Sequence, residues 1–308
     1  MDSTPDPRLV RLQILTPLSV LISLGANLVG TLAIKPGAGQ INDDFLTILT
    51  PRKSLIGAYM LLVFVLQICY CLILVLARKP ETKAALLNGV GLRFPLVNAA
   101  FALWVVFWDL KIFLASEIAL LVEFIVLASI WATLLRHPPS KHRPLDYVYI
   151  HAPMTLLLVV LWNVDIWQNG LLALGWWKYL GAEEGVGHGK WEPEHQNHAW
   201  IAFGVMTSVG LIDAFIVFLR CDPIWAAGSI YVFLSIILKG NKPAQIFVPL
   251  VVLSGLQVVA LASSVMWWRY SNAREGAIAL PVNEDGEDAQ RRHLIADRNG
   301  FQADGVPA

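Results

Sequence analysis

Apolar residues along this chain come in runs of about twenty, divided by short polar punctuation, until the last forty residues break the pattern. The hydrocarbon core of a bilayer takes about 20 mostly apolar residues per helix. Eight stretches fit: 14–34, 55–77, 94–110, 112–135, 152–175, 198–219, 223–239 and 246–268. Helices are the expected form, because lipid offers the backbone no partners and each polar group must be bonded within its own segment. Pro95, Pro153 and Pro223 stand near first turns, where a missing N–H costs little. Pro17 and Pro249 lie farther inside and predict bends. The third and fourth stretches are divided only by the region of Asp109, Lys111 and Glu117, and the seventh is short. The pattern predicts an all-α, polytopic membrane helix bundle of about eight transmembrane helices, with seven as the alternative count. It places the bundle in 1–268 and a disordered cytosolic tail in 269–308.

Composition agrees. Of 308 residues, 56% are hydrophobic and 15% charged, where soluble domains carry about 25% charge. The 23 basic and 23 acidic residues cancel, so no basic surface argues for nucleic acid as a partner. The bilayer is the first partner. The residues before the first apolar run are polar or mixed, and that run is long enough to remain in the membrane, so it predicts a span that doubles as targeting signal. With eight spans, fifteen basic residues fall on the side of both termini, including Arg78, Lys79, Lys83, Arg93, Arg136, Lys141 and Arg143, and eight on the other. The positive-inside rule then puts both termini in the cytosol. The tail carries Asn283-Glu284-Asp285-Gly286-Glu287-Asp288 and Arg291-Arg292, a composition that does not pack and suits recruitment of a cytosolic partner. Cys69, Cys71 and Cys221 form neither a disulfide framework nor a zinc pattern.

Chemistry is sought where polar groups enter the spans. Asp165 lies inside the fifth stretch, in Trp162-Asn163-Val164-Asp165-Ile166-Trp167-Gln168-Asn169. α-Helical spacing puts Trp162, Asp165 and Asn169 on one face. An aspartate in mid-membrane costs about 2.5–3.5 kcal/mol on insertion scales, so it predicts either a ligand or proton site or an interhelical hydrogen-bond clasp. Asp213 in the sixth stretch, Asn98 in the third, Glu123, Gln67, Asn27 and Gln257 extend the set of intramembrane polar residues. The candidate ligand-binding residues are Asp165, Asn163, Trp162, Asn98, Trp104 and Asp213, the tryptophans supplying apolar and stacking surface.

The segment 176–199 holds Glu194, His195 and His198, whose spacing of three and four would let pairs share a metal on a helix. The other reading is a solvated loop with aromatics at headgroup level, which the chain's 12 tryptophans favour. His137, His142 and His151 flank a Pro-rich connector, where a phosphate or headgroup contact is one use. No Ser-His-Asp arrangement, P-loop or dinucleotide fingerprint is present, and no catalytic residue or cofactor is assigned.

Several residues together carry a resemblance. Asn27 precedes a loop with Asp43-Asp44-Phe45 and Thr50-Pro51, Phe94-Pro95-Leu96-Val97-Asn98 opens the third span with Trp104 and Trp108 after it, Trp162-Asn163 lies in the fifth, and Arg220-Cys221-Asp222 starts a short hairpin. In this order the chain resembles extended, multi-span relatives of the tryptophan-rich sensory protein family, related to the translocator proteins that bind tetrapyrroles and sterols. It also resembles fungal multi-pass membrane proteins in general character. Two positions depart from the family's pattern: Arg52-Lys53-Ser54 follows Pro51, and Asn98-Ala99-Ala100-Phe101 stands for Asn-x-x-Trp. The residues favour a bundle whose helices surround a small aromatic and polar cavity that binds, senses or moves a small amphipathic or hydrophobic ligand, with Asp165 and Asn163 supplying hydrogen bonds and Trp162 and Trp104 apolar surface. Two other classes fit the residues: a non-catalytic structural or adaptor protein acting through its tail, and a metal-dependent membrane enzyme using 183–198.

Overall fold

Each apolar run becomes a helix in the computed structural model, which describes residues 7–138, 143–177, 193–240 and 242–278, with side chains throughout except in 193–197 and 272–278. The helices are α1 (Pro7–Leu28), α2 (Ala38–Asp44), α3 (Lys53–Leu76), α4 (Pro80–Ala84), α5 (Arg93–Asp109), α6 (Phe113–Leu134), α7 (Pro144–Asp146), α8 (Ala152–Val160), α9 (Ile166–Ala173), α10 (Pro193–Arg220), α11 (Pro223–Ile237) and α12 (Ala244–Ile278). Four π-helical segments link or extend them: Val29–Ala33, Ala85–Val90, Tyr147–His151 and Leu161–Asp165. No strand occurs among the described residues.

Among the described residues six stretches are long and apolar enough to cross a membrane: Pro7–Ala33, Lys53–Leu76, Phe113–Leu134, Pro144–Ala173, His198–Arg220 and Ala244–Ser271. A seventh arises if Pro80–Val90 and Arg93–Asp109, bent by 47° at their junction, count as one span. The remaining predicted stretch is α11, apolar but only 15 residues long. About eight spans thus becomes six full-length helices plus one bent and one short. The third differs most, because the polar connector before it folds into α4 and a π segment.

The surface is apolar and the interior is where polar side chains gather. Leu61, Leu72 and Val75 on α3, Ile118 and Ile125 on α6, and Phe215 and Leu219 on α10 are all more than half exposed. Asn98, Glu123, Asn163, Asp213, Ser229 and Gln257 are buried. That is the arrangement of an integral membrane protein, whose outer face meets hydrocarbon and whose polar groups must find partners inside.

The span Pro144–Ala173 is the middle of the bundle. Of its most apolar window 78% is buried, against 28–39% for the other full-length spans. α8 packs on α11 and α3, α9 on α6, and α5 on both α1 and α6.

Tight joints hold neighbours antiparallel. α5 ends in a Schellman turn: the Ile112 N–H donates to Phe107 O at 2.9 Å and the Lys111 N–H to Trp108 O at 2.9 Å, with Lys111 in the left-handed region at φ 59°. α6 begins at once, so three residues reverse the chain and the division predicted near Lys111 is sharp. Between α10 and α11 only Cys221 and Asp222 intervene. Cys221 has φ 51°, and Asp222 Oδ1 caps α11 by accepting from the N–H groups of Ile224 (3.0 Å) and Trp225 (3.2 Å).

Two compact units are distinguished, Met1–Leu261 and Ala262–Ala308. In the second, the helix continues past the predicted span end at 268 through Ile278. The part of the predicted tail beyond that lies outside the described residues.

Candidate functional site

α1, α2, α3 and α5 meet the middle span around a cavity of about 380 Å³, within the 300–1,000 Å³ range of small-molecule sites. α5 contributes Phe101, Trp104 and Trp108 at i, i+3 and i+7, one helical face. α3 contributes Gly57, Met60 and Phe64, and the opening of α1 toward the loop supplies Asn27 and Thr31. The rings form a continuous wall. Phe64 meets Phe101 edge-on at 5.7 Å, Phe101 meets Trp104 at 5.3 Å, and Trp104 meets Trp108 at 5.9 Å. The Trp104 Nε1 is buried with no hydrogen-bond partner among the described residues.

The polar wall comes from the middle span. Asp165, Gln168 and Asn169 line the cavity together with Asn42 of α2. Gln168 Nε2 donates to Asn42 Oδ1, tying α2 to the middle span. Asn169 is committed to α6: its Nδ2 donates to Glu117 Oε2 at 2.8 Å and Phe113 O at 3.2 Å, and its Oδ1 accepts from Ser116 Oγ at 2.9 Å. Asp165 is half-buried and makes no hydrogen bond or ion pair among the described residues.

The π segment Leu161–Asp165 explains which predicted residues meet. Its i→i+5 bonds insert extra backbone and change the phase of the side chains. Asp165 and Asn169 share the cavity as the α-helical spacing predicts, but Trp162 does not join them. It stacks on Phe124 at 5.6 Å and meets Trp167 edge-on at 5.8 Å. Asn163 turns to α11, where its Nδ2 donates to Ser229 Oγ at 3.1 Å. Ser229 Oγ donates in turn to Asp213 Oδ2 at 3.0 Å, and Trp225 Nε1 donates to Asp213 Oδ1 at 2.9 Å. Asn163 and Asp213 are therefore members of an interhelical clasp and do not line the cavity. Asn98 is a second clasp, accepting from Ser23 Oγ at 3.0 Å and donating to Phe94 O at 3.1 Å. Of the six predicted ligand residues, Asp165 and Trp104 are in the cavity.

Gln168, Asn42, Phe64, Phe101 and Trp108 were not among those six. The spacing of Phe101, Trp104 and Trp108 was available as a signal; the partnership of Asn42 with Gln168, 126 residues apart, was not.

The loops beyond one end of the cavity are cross-braced. Asp43 Oδ2 takes Lys53 Nζ at 2.8 Å and Oδ1 takes Lys239 Nζ at 2.7 Å. Burial alone would raise the Asp43 carboxyl, but the two lysines together hold it below its usual value. Lys242 Nζ donates to the carbonyls of Ile48 (2.7 Å) and Thr50 (2.9 Å). Burial, and then the nearby Lys239 charge, pull the Lys242 ammonium down to about 7.

Of the metal candidates, His198 has its ring stacked on Trp176 at 4.3 Å. Residues 178–192 and the side chains of Glu194 and His195 lie outside the described residues, among which no group of three or more His, Cys, Asp or Glu is placed to hold a metal. His137 and His151 line a separate polar cavity of about 290 Å³ with Glu81, Arg136, Arg143 and Asp146. There Asp146 Oδ2 is occupied by Thr82 Oγ1 at 2.8 Å and Arg143 at 3.2 Å. Comparison with protein-family models, curated proteins and solved structures finds no match to this chain.

Proposed function

We propose that this integral membrane protein binds a small amphipathic or hydrophobic molecule in the cavity among α1, α2, α3, α5 and the middle span, and thereby senses it or moves it. The observation that carries this reading is the lining itself: aromatic rings on one side and a carboxylate with three carboxamides (Asn42, Gln168, Asn169) on the other. Ligand sites combine an apolar wall with a few polar groups that fix orientation. Acidic side chains inside a membrane bundle are costly and typically mark substrate or ion pathways when they border a cavity. The resemblance to the tryptophan-rich sensory and translocator families points the same way. On the basic-residue bias, the Arg136–Arg143 connector and both termini face the cytosol, and the cavity's Lys53 rim faces the opposite side.

Gly57 gives a test. It lines the cavity, and a Cβ there meets nothing within 4 Å, so Gly57→Trp is accepted by the backbone and sets a bulky ring at the cavity. Wild type and Gly57→Trp are purified into lipid nanodiscs, and bound small molecules are compared by native mass spectrometry. The expected result is a molecule retained by wild type and absent from the variant. Identical bound species in both proteins, with both folded, would overturn the reading.

A further inference from the structure

The charge balance around the cavity specifies its ligand further; this inference rests on the cavity reading above. Two charged side chains line the space, Lys53 and Asp165. Lys53 is already engaged, because its ammonium sits 2.8 Å from the Asp43 carboxylate, which it shares with Lys239. Asp165 has no such partner among the described residues. Two acidic side chains, Glu117 and Glu123, lie within electrostatic reach of it. Neither is paired with a base among the described residues. Among the described residues Glu117 accepts from the Asn169 carboxamide alone, and both buried Glu123 carboxyl oxygens are without a hydrogen-bond partner. The polar end of the cavity thus offers a carboxyl group without a basic partner among the described residues, in a low-dielectric setting where an incoming cation would interact with it most strongly. At the other end, Phe64, Phe101 and Trp104 present ring surface, which is itself attractive to cations.

We propose that the cavity is selective for cationic amphiphiles: a protonated amine bearing an apolar body, with the ammonium on Asp165 and the body against Phe64, Phe101 and Trp104. A carboxylate or phosphate ligand would meet like charge at Asp165. A neutral amphiphile would leave that carboxylate without a counter-charge.

Three probes of equal chain length separate these cases: dodecylamine, dodecanol and dodecanoate. Each is titrated into the full-length protein in phosphatidylcholine nanodiscs, and saturable stabilisation against heat is measured, since a ligand that binds only the folded state raises its melting temperature. Wild type is expected to bind dodecylamine at least ten-fold more tightly than dodecanol and to show no saturable response to dodecanoate. Asp165→Asn is expected to abolish the amine preference and leave dodecanol binding unchanged, and Asp165→Glu to retain the preference. Equal affinities for amine and alcohol in wild type, or an amine preference that survives in Asp165→Asn, would overturn the proposal. In those cases dodecanol binding that disappears in Gly57→Trp leaves the cavity reading standing. Probe responses indifferent to Gly57→Trp overturn both. If Asp165→Asn does not fold, the wild-type comparison of the three probes decides alone.

Discussion

Asn163 and Asp213 are joined through a single hydroxyl, that of Ser229, which accepts from the Asn163 carboxamide at 3.1 Å and donates to the Asp213 carboxylate at 3.0 Å. The three residues stand on three segments: the middle span, α11 and α10. The short helix α11 is thereby fixed between two longer ones. Ser229→Ala removes both bonds at once. Interhelical hydrogen bonds in membranes contribute about 0.6 kcal/mol each on average, so a loss of about 1 kcal/mol is expected. Ser229 does not line the cavity, so ligand affinity should be unchanged. Thermal unfolding and ligand titration of the same variant check both halves.

Close approach of α11 to its neighbours depends on Gly228. A Cβ at this position would lie 3.1 Å from each of Leu156 Cδ2, Val159 Cγ1 and the Tyr59 hydroxyl. Tyr59 is held there, since its hydroxyl donates to Leu156 O at 2.8 Å. Gly228→Val should overpack this junction and destabilise by about 1–3 kcal/mol, with Gly228→Ala intermediate. Equal melting temperatures for Gly228→Val and wild type would contradict the packing described.

Lys242 makes stability depend on pH. Its ordinary value of 10.5 falls to about 7 in the folded protein. Between those values the unfolded chain holds a proton that the folded chain does not, so stability rises with pH across about 7 to 10.5. Below about 7 both states are protonated, and the full cost of the buried ammonium is present. Lys242→Met should flatten this rise. Melting temperatures of both proteins at half-unit pH intervals test it.

Asp43 has the opposite sign. Its folded value lies below the ordinary 3.8. The stability it contributes is present above 3.8 and lost as pH falls through the folded value. Asp43→Asn should lower the melting temperature at neutral pH and remove this acid-side loss. It also frees the Lys53 ammonium at the cavity rim, so dodecylamine binding should weaken while dodecanol binding does not.

The apolar runs were legible because lipid imposes length and composition directly; α3, α6 and α10 stand where hydropathy puts them. The segment 80–90 was not, because its helix is short and polar and is held by docking, with Thr82 bound to Asp146 and Gly89 packed against Leu134. Asp165 could be singled out, since an acid inside a span requires a reason. Whether it met a cavity or a clasp depended on residues far away in sequence. Asn98 and Asp213 are equivalent to it in sequence pattern and differ through their partners Ser23 and Ser229. Trp162 leaves the face that α-helical spacing predicts for it, because no residue type marks a π segment and spacing arguments assume α-helical bonding throughout.

That π segment amounts to a phase setting. An α-helix advances about 100° per residue, so one surplus residue within Leu161–Asp165 fixes the rotation of everything after it relative to everything before. Gln168 and Asn169 look into the cavity because of it, while Asn163 looks toward α11. Deleting Val164, which does not line the cavity, would preserve every side chain of the site and still dismantle it, by turning the part of the span that follows away like a key cut for a different lock.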